Sequence, residues 1–149
     1  MRECIWITRT LFIVVIIVTT SCVIQAQQGD RPVCDTIAKI CEKHITSEYI
    51  SDGQFYRALL FDDEISDFEA TLFGGTTYRI AGCSGLSDGN LIFSIYDEER
   101  NLLFTNEEYS NEPYWDLVIA NTINVTVEAQ LDQTKVGSGC SVILMGFKK

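Results

Sequence analysis

One histidine, two prolines and eleven lysines and arginines stand against 21 aspartates and glutamates in a chain of 149 residues. The shortage of cations, with a net charge of −10, argues against a nucleic-acid binder, which needs Lys and Arg to neutralise phosphates. The lone His44 leaves Ser-His-Asp chemistry a single candidate base, and no Gly-x-Ser-x-Gly elbow is present to serve it. C-x-x-C, H-E-x-x-H and EF-hand spacings are missing too. So is a long apolar run: Leu11 to Val18 is unbroken but far short of the roughly 20 residues that span a bilayer. What remains is a globular composition, 46% hydrophobic and 21% charged, sized for one domain.

Residues 1–26 read as a secretion signal. Arg2 and Arg9 supply its positive start, Leu11 to Val18 its apolar stretch, and Ile24-Gln25-Ala26 suits cleavage before Gln27. The rivals are a lipid anchor on Cys22, with Thr19 where such sites favour Leu, and a retained anchor helix. Membrane contact is expected only through such an anchor, if Cys22 is lipidated. Removing 1–26 leaves nine basic and twenty acidic residues, a net charge of −11. Such a charge favours solubility and repels anionic surfaces.

The mature chain divides at Gly53. Residues 27–53 form a linker and one amphipathic helix over about Pro32 to Thr46. Val33, Ile37, Ile40, Cys41 and Ile45 share one stripe of it, Asp30 is placed to cap it, and Asp35 and Lys39 are spaced to pair. Residues 54–149 switch to period two. The candidate strands are 54–61, 67–73, 76–83, 91–97, 102–106, 114–120, 123–131 and 140–147. Ile123 to Leu131 alternates cleanly, so one of its faces is buried. Cys140 to Phe147 is apolar on both faces, as befits a central strand or one covered by the helix. Gly74-Gly75 has the spacing of a two-residue hairpin. Asn121-Thr122 marks a second short turn. Residues 98–101 mark a third, with Asn101 suited to the left-handed conformation. The fold expected is mainly β: signal, one helix, then an antiparallel eight-stranded sandwich or jelly roll.

Three segments carry a resemblance: Phe73 to Ile80 (FGGTTYRI), Phe93 to Asp97 (FSIYD) with the nearby Asn101 to Phe104 (NLLF), and Ser138 to Lys148 (SGCSVILMGFK). In order and spacing they resemble short exported bacterial proteins. More remotely they are similar to the pre-peptidase C-terminal β-sandwich appended to secreted peptidases. The resemblance covers roughly Gln54 to Lys149 and rests on turn and core residues. This chain departs from that arrangement in carrying no peptidase. An accessory or binding fold is what the resemblance implies, and a fold alone does not settle function.

Four cysteines remain after the leader: Cys34, Cys41, Cys83 and Cys140. Export allows them to oxidise. On a continuous helix Cys34 and Cys41 lie about 10.5 Å apart along the axis, too far to bridge, since a disulfide needs Cα atoms within about 7 Å. Cys83 ends one expected strand and Cys140 begins another, so a Cys83–Cys140 disulfide is expected, with Cys34 and Cys41 as small buried hydrophobes. His44, three residues after Cys41, reads as a partly exposed helical histidine rather than a ligand.

Carboxylates gather at Asp62, Asp63, Glu64, Asp67 and Glu69, and again at Asp97, Glu98, Glu99, Glu107, Glu108 and Glu112. A calcium site on loop oxygens, drawing on Asp88 and Asp97, competes with the plainer account of solvated turns and charged strand edges. No cofactor is required. Tyr109, Tyr114 and Trp115, around Pro113, offer a stacking platform for a sugar or peptide. The plainer account puts Trp115 in the core with the tyrosines at its rim. Asn124-Val125-Thr126 is a sequon without evident purpose in a strand. The expectation is an exported, periplasmic or secreted, non-catalytic module that binds a protein, peptide or glycan at the cell envelope. The alternative is a small secreted hydrolase using its carboxylates or a metal. Two acids drawn together in a pocket beneath Tyr114 or Trp115 would favour the enzyme.

Overall fold

The computed structural model describes residues 31–149; the signal, the Ala26 cleavage point, Cys22 and Asp30 lie outside them. The helix forms as its stripe requires. It runs as α1 (Arg31–Cys41) and tightens into a 3-10 turn over Glu42–His44, ending a little earlier than the periodicity suggests. Nine strands follow: β1 (Tyr49–Ser51), β2 (Tyr56–Phe61), β3 (Ile65–Leu72), β4 (Thr76–Ser84), β5 (Leu91–Tyr96), β6 (Leu102–Thr105), β7 (Tyr114–Ile119), β8 (Ile123–Leu131) and β9 (Ser138–Lys148). The extra one is β1, three residues long. Too short to show alternation, it is held by pairing with the far end of β9, Tyr49 opposite Lys148.

Two antiparallel sheets result. In the first, β9 is flanked by β4 on one side and by both β1 and β2 on the other, with β7 outside β4; the second has the order β3-β8-β5-β6. Alternate residues of each strand meet between the sheets. Ile80, Ile143 and Met145 from the first pack against Phe93, Ile95, Val125, Val127 and Leu131 from the second. Each such side chain, fully buried, contributes about 1.5–3 kcal/mol before entropy is charged against it. Gly82 sits beneath Phe93: a β-carbon there would lie 2.8 Å from the ring, so the missing side chain makes room for the largest fully buried one.

β9 is apolar on both faces for the two reasons its sequence allows: it is central, and α1 covers its outer side. Ile37, Ala38 and Cys41 of α1 bury against Ala81, Cys83, Cys140, Val142 and Leu144. This second core corrects the expected disulfide. Cys34 bonds Cys140 with Cα atoms 5.4 Å apart, and Cys41 bonds Cys83 at 5.8 Å. Cys83 and Cys140 do lie on neighbouring strands, but Cys83 stands opposite Val142. Cys140 is therefore a diagonal neighbour, about 7–8 Å away and at the limit of closure. The helix, crossing above both, offers each a nearer sulfur. Cys34 and Cys41 are thus cross-links rather than small hydrophobes. Asp35, expected to pair with Lys39, instead meets Arg57 of β2.

The Gly74-Gly75 hairpin is also corrected. β3 and β4 belong to different sheets, and so do β7 and β8. Both connections cross the sandwich, and they lie against each other. A β-carbon on Gly74 would come within 2.9 Å of backbone atoms of Ala120, Asn121 and Thr122. Gly74 N–H donates to Thr122 Oγ1 (3.0 Å) and Gly75 N–H to the Ile119 carbonyl (2.7 Å). The turn at 98–101 is a hairpin joining β5 to β6, but Arg100, not Asn101, takes positive φ. Asn101 is held by both oxygens of Asp97, at 2.8 and 2.9 Å.

Candidate binding site

The long strand β9 is not covered evenly. β2 pairs with its first half and β1 with its last three residues; Asp52 N–H still donates to the Met145 carbonyl at 3.0 Å, and residues 53–55 leave the ladder between them. Across that break runs β3, paired on one side only. The sandwich is consequently open here, as a cleft of about 620 Å³. Its lining is mostly apolar: Tyr56, Phe73, Tyr78, Met145 and Phe147, with Asp52 and Glu69 among its polar members. Phe73 is 62% exposed, ahead of Phe61 at 50% and Phe55 at 42%. Tyr56 is stacked on Phe68 with centroids 3.7 Å apart, and Tyr78 Oη accepts from the Phe73 N–H at 3.1 Å, so one wall is rigid. Burial pushes the Asp52 carboxyl above its ordinary value, although N–H donors beside it pull the other way.

The other face of β3 is wet. A polar depression of about 640 Å³ lies on the outside of the second sheet, lined by Glu69, Thr71, Asp97, Glu98, Arg100, Asn124 and Thr126. Arg100 pairs with Glu128 at 2.6 Å and lies over the Tyr96 ring. Glu69, Ala70 and Thr71 line both hollows. An edge strand with an apolar trough on one side and carboxylates on the other thus forms one continuous surface.

The aromatic platform expected from Tyr109, Tyr114 and Trp115 divides. Trp115 faces inward and clusters with Phe104 (5.0 Å) and Tyr109 (4.3 Å), closing one end of the core. Tyr114, the preceding residue on a pleated strand, faces the opposite way. There it meets His44 (5.5 Å) and one side of the Arg79 guanidinium (4.3 Å), whose other side rests on Tyr49 (4.4 Å). Arg79 also donates to both oxygens of Asp116, at 2.7 and 2.8 Å, and to the His44 carbonyl at 3.1 Å. Glu112 and Asp116 do flank Tyr114 and Trp115 in a recess of about 370 Å³. Yet the Arg79 hydrogen bonds hold the Asp116 carboxyl below its ordinary range, against the effect of burial. A carboxylate so neutralised is an anchor for Arg79 and a poor proton donor.

Asp88 and Asp97 are not brought together. They flank opposite ends of β5, whose six residues span about 20 Å. Asp97 caps Asn101, whose hydrogen bonds hold its carboxyl low. Asp88 takes Lys43 Nζ at 3.0 Å and His44 Nε2 at 3.2 Å. Burial raises its carboxyl, but these two partners outweigh that and hold it low. His44 is accordingly partly exposed, as expected, with its side chain held against Asp88.

The lateral cleft was not visible in the sequence, although Phe73 beside Gly74-Gly75 marked it: a large aromatic next to a sheet-crossing turn has few places to bury. No family model matches the chain, and no curated protein matches its sequence. Among solved structures it is similar to the crystal structure of PliG from Aeromonas hydrophila, a periplasmic inhibitor of g-type lysozyme. The two share 8% identity and a TM-score of 0.50, over 69% of this chain and 90% of that one. At that identity the likeness establishes the two-sheet architecture alone.

Proposed function

We propose that this chain is an exported, non-catalytic module that binds another protein, and that it does so along β3 and the adjoining cleft. The observation that carries this reading is the cleft itself: an apolar trough at an unpaired strand edge, with Phe73 exposed at its rim. An unpaired edge offers main-chain hydrogen bonds to an incoming strand, and a trough beside it accepts alternate side chains. The carboxylates on the wet side of β3 suit a basic partner and would speed its approach. Two disulfides fit an oxidising compartment. Because PliG has this architecture and inhibits a lysozyme, a lysozyme of the g-type is the first partner to test.

The experiment is a peptidoglycan-clearing assay with added protein, paired with calorimetric titration. Inhibition is expected, with affinity falling at least about tenfold in Phe73→Ala, the loss of roughly 1.4 kcal/mol. A panel of secreted lysozymes that shows neither binding nor inhibition would remove the lysozyme reading. A second reading rests on Asp52 and Glu69 sharing the cleft, one carboxyl raised by burial. That is the asymmetry a glycosidase pair needs. Hydrolysis of envelope glycans that disappears in Asp52→Asn would establish it in place of the first.

A further inference from the structure

Beneath the end of α1 four side chains with metal-binding chemistry converge from three parts of the chain. Cys41 closes α1, His44 follows three residues later on the 3-10 turn, Cys83 lies near the end of β4, and Asp88 belongs to the loop before β5. Among the described residues, His44, Cys83 and Asp88 form a group whose donor atoms all lie within 4.8 Å of one another, the nitrogen and oxygen at 3.2 Å. Cys41 Sγ stands outside that group but is bonded to Cys83 Sγ. Zinc bonds of about 2.0–2.3 Å to tetrahedral ligands place those ligands about 3.3–3.8 Å apart. The nitrogen–oxygen separation already matches, and opening the disulfide frees the two sulfurs to part. Both cysteines are buried and the His44 side chain is 10% exposed, so the cluster is sheltered from water while Asp88 faces it.

We infer that opening the Cys41–Cys83 disulfide creates a zinc site with Cys41, Cys83, His44 and Asp88 as its four ligands. The chemistry balances. A dithiol reductant gives two electrons and two protons to the sulfur–sulfur bond and leaves as its own disulfide, producing two thiols here. Zinc then binds both sulfurs as thiolates and releases their protons to solvent. Two thiolates, a carboxylate and a neutral imidazole leave one surplus negative charge on the complex. Lys43, already against Asp88, offsets it. The staple between α1 and β4 is thereby kept in either state, by a covalent bond when oxidised and by the metal when reduced. This inference is independent of the lysozyme reading and of the cleft.

The test uses the purified full chain, reduced on an immobilised dithiol that is filtered away without air. It is titrated with zinc ion alone against a chromophoric chelator, with cobalt in parallel as a spectroscopic probe. One zinc per reduced chain is expected, held about a hundredfold more tightly than by the oxidised chain, with His44→Ala and Asp88→Asn each weakening it about tenfold or more. Cobalt is expected to show thiolate charge transfer, and Lys43→Ala to bind zinc less tightly, because the surplus charge on the complex loses its counterion. Zinc held no better after reduction overturns the inference. So does zinc that ignores His44→Ala, which would place it on bare thiols. Should reduction unfold the chain, circular dichroism decides: recovery of the β spectrum with one equivalent of zinc supports the site, and failure to recover refutes it.

Discussion

The two outer flanks of the sandwich are built on opposite plans. Over the first sheet, α1 is bonded through Cys34 and Cys41 to two neighbouring strands, and beside it Arg79 is gripped by Tyr49, Tyr114 and Asp116. Arg79, Asp116, His44 and Asp88 there are each held by partners inside the protein. Along β3 the strand edge is unpaired, Phe73 stands in solvent, and apolar Tyr78, Met145 and Phe147 line an open trough. The lesson is that the chemically richer flank is the satisfied one. Side chains that catch the eye in the sequence, Tyr114 and Asp88 among them, are consumed by internal contacts, whereas the plain residues around Phe73 are left for a partner.

The strongest way to break this comparison is to unfasten the closed flank. Replacing Cys34 and Cys140 together by Ala is expected to cost about 2–5 kcal/mol in chemical denaturation. Losing Cys41 and Cys83 together should cost less, because 42 residues separate them instead of 106. Equal midpoints for wild type and both double variants would show that the helix was never locked. Gly74→Ala probes the hinge behind the open flank. Its added carbon meets backbone rather than a flexible side chain, so a loss of about 1–3 kcal/mol in thermal melts is expected. A neutral outcome would mean the whole β3 margin is pliable.

A gentler probe is pH. Asp116 has a folded pKa held below its unfolded value of 3.8, so its pairing stabilises above about pH 4 and fades as the pH drops toward the folded value. Asp116→Asn is therefore expected to lower stability modestly at neutral pH, where the 39% exposed carboxylate is partly screened, and to converge with wild type in acid, flattening part of the acid limb of the melting curve. An unchanged acid limb would show that the Arg79 grip contributes nothing. Smallest of all is Phe73→Ala, expected within about 0.5 kcal/mol of wild-type stability because the ring lies in water. A large destabilisation would turn the supposed docking residue into a structural one.

Strand order along the chain was readable because burial on one side forces alternation: Ile123 to Leu131 shows it, and β8 occupies those residues. The doubly apolar 140–147 stretch likewise announced the strand that lies under α1. What could not be read was which strands meet. Gly74-Gly75 looks the same in a hairpin and in a crossing between sheets, since both require a backbone free of side-chain hindrance. The disulfide partners were hidden for a related reason. Cys83 and Cys140 are neighbours in the sheet, but only the docked position of α1 shows that each has a closer partner overhead. The cleft was least legible, arising from residues 53–55 leaving β9, an event without hydrophobic periodicity.

The bond from Cys34 to Cys140 has a mechanical consequence. Cys34 lies in the opening turns of α1, and Cys140 near the start of the strand that holds its sheet together. Tension arriving from the upstream chain is therefore handed to the middle of the sandwich through sulfur before it can peel the helix away. The helix acts as a rivet, and a tug that would strip an ordinary helix must here shear β9 from the strands on both of its sides at once.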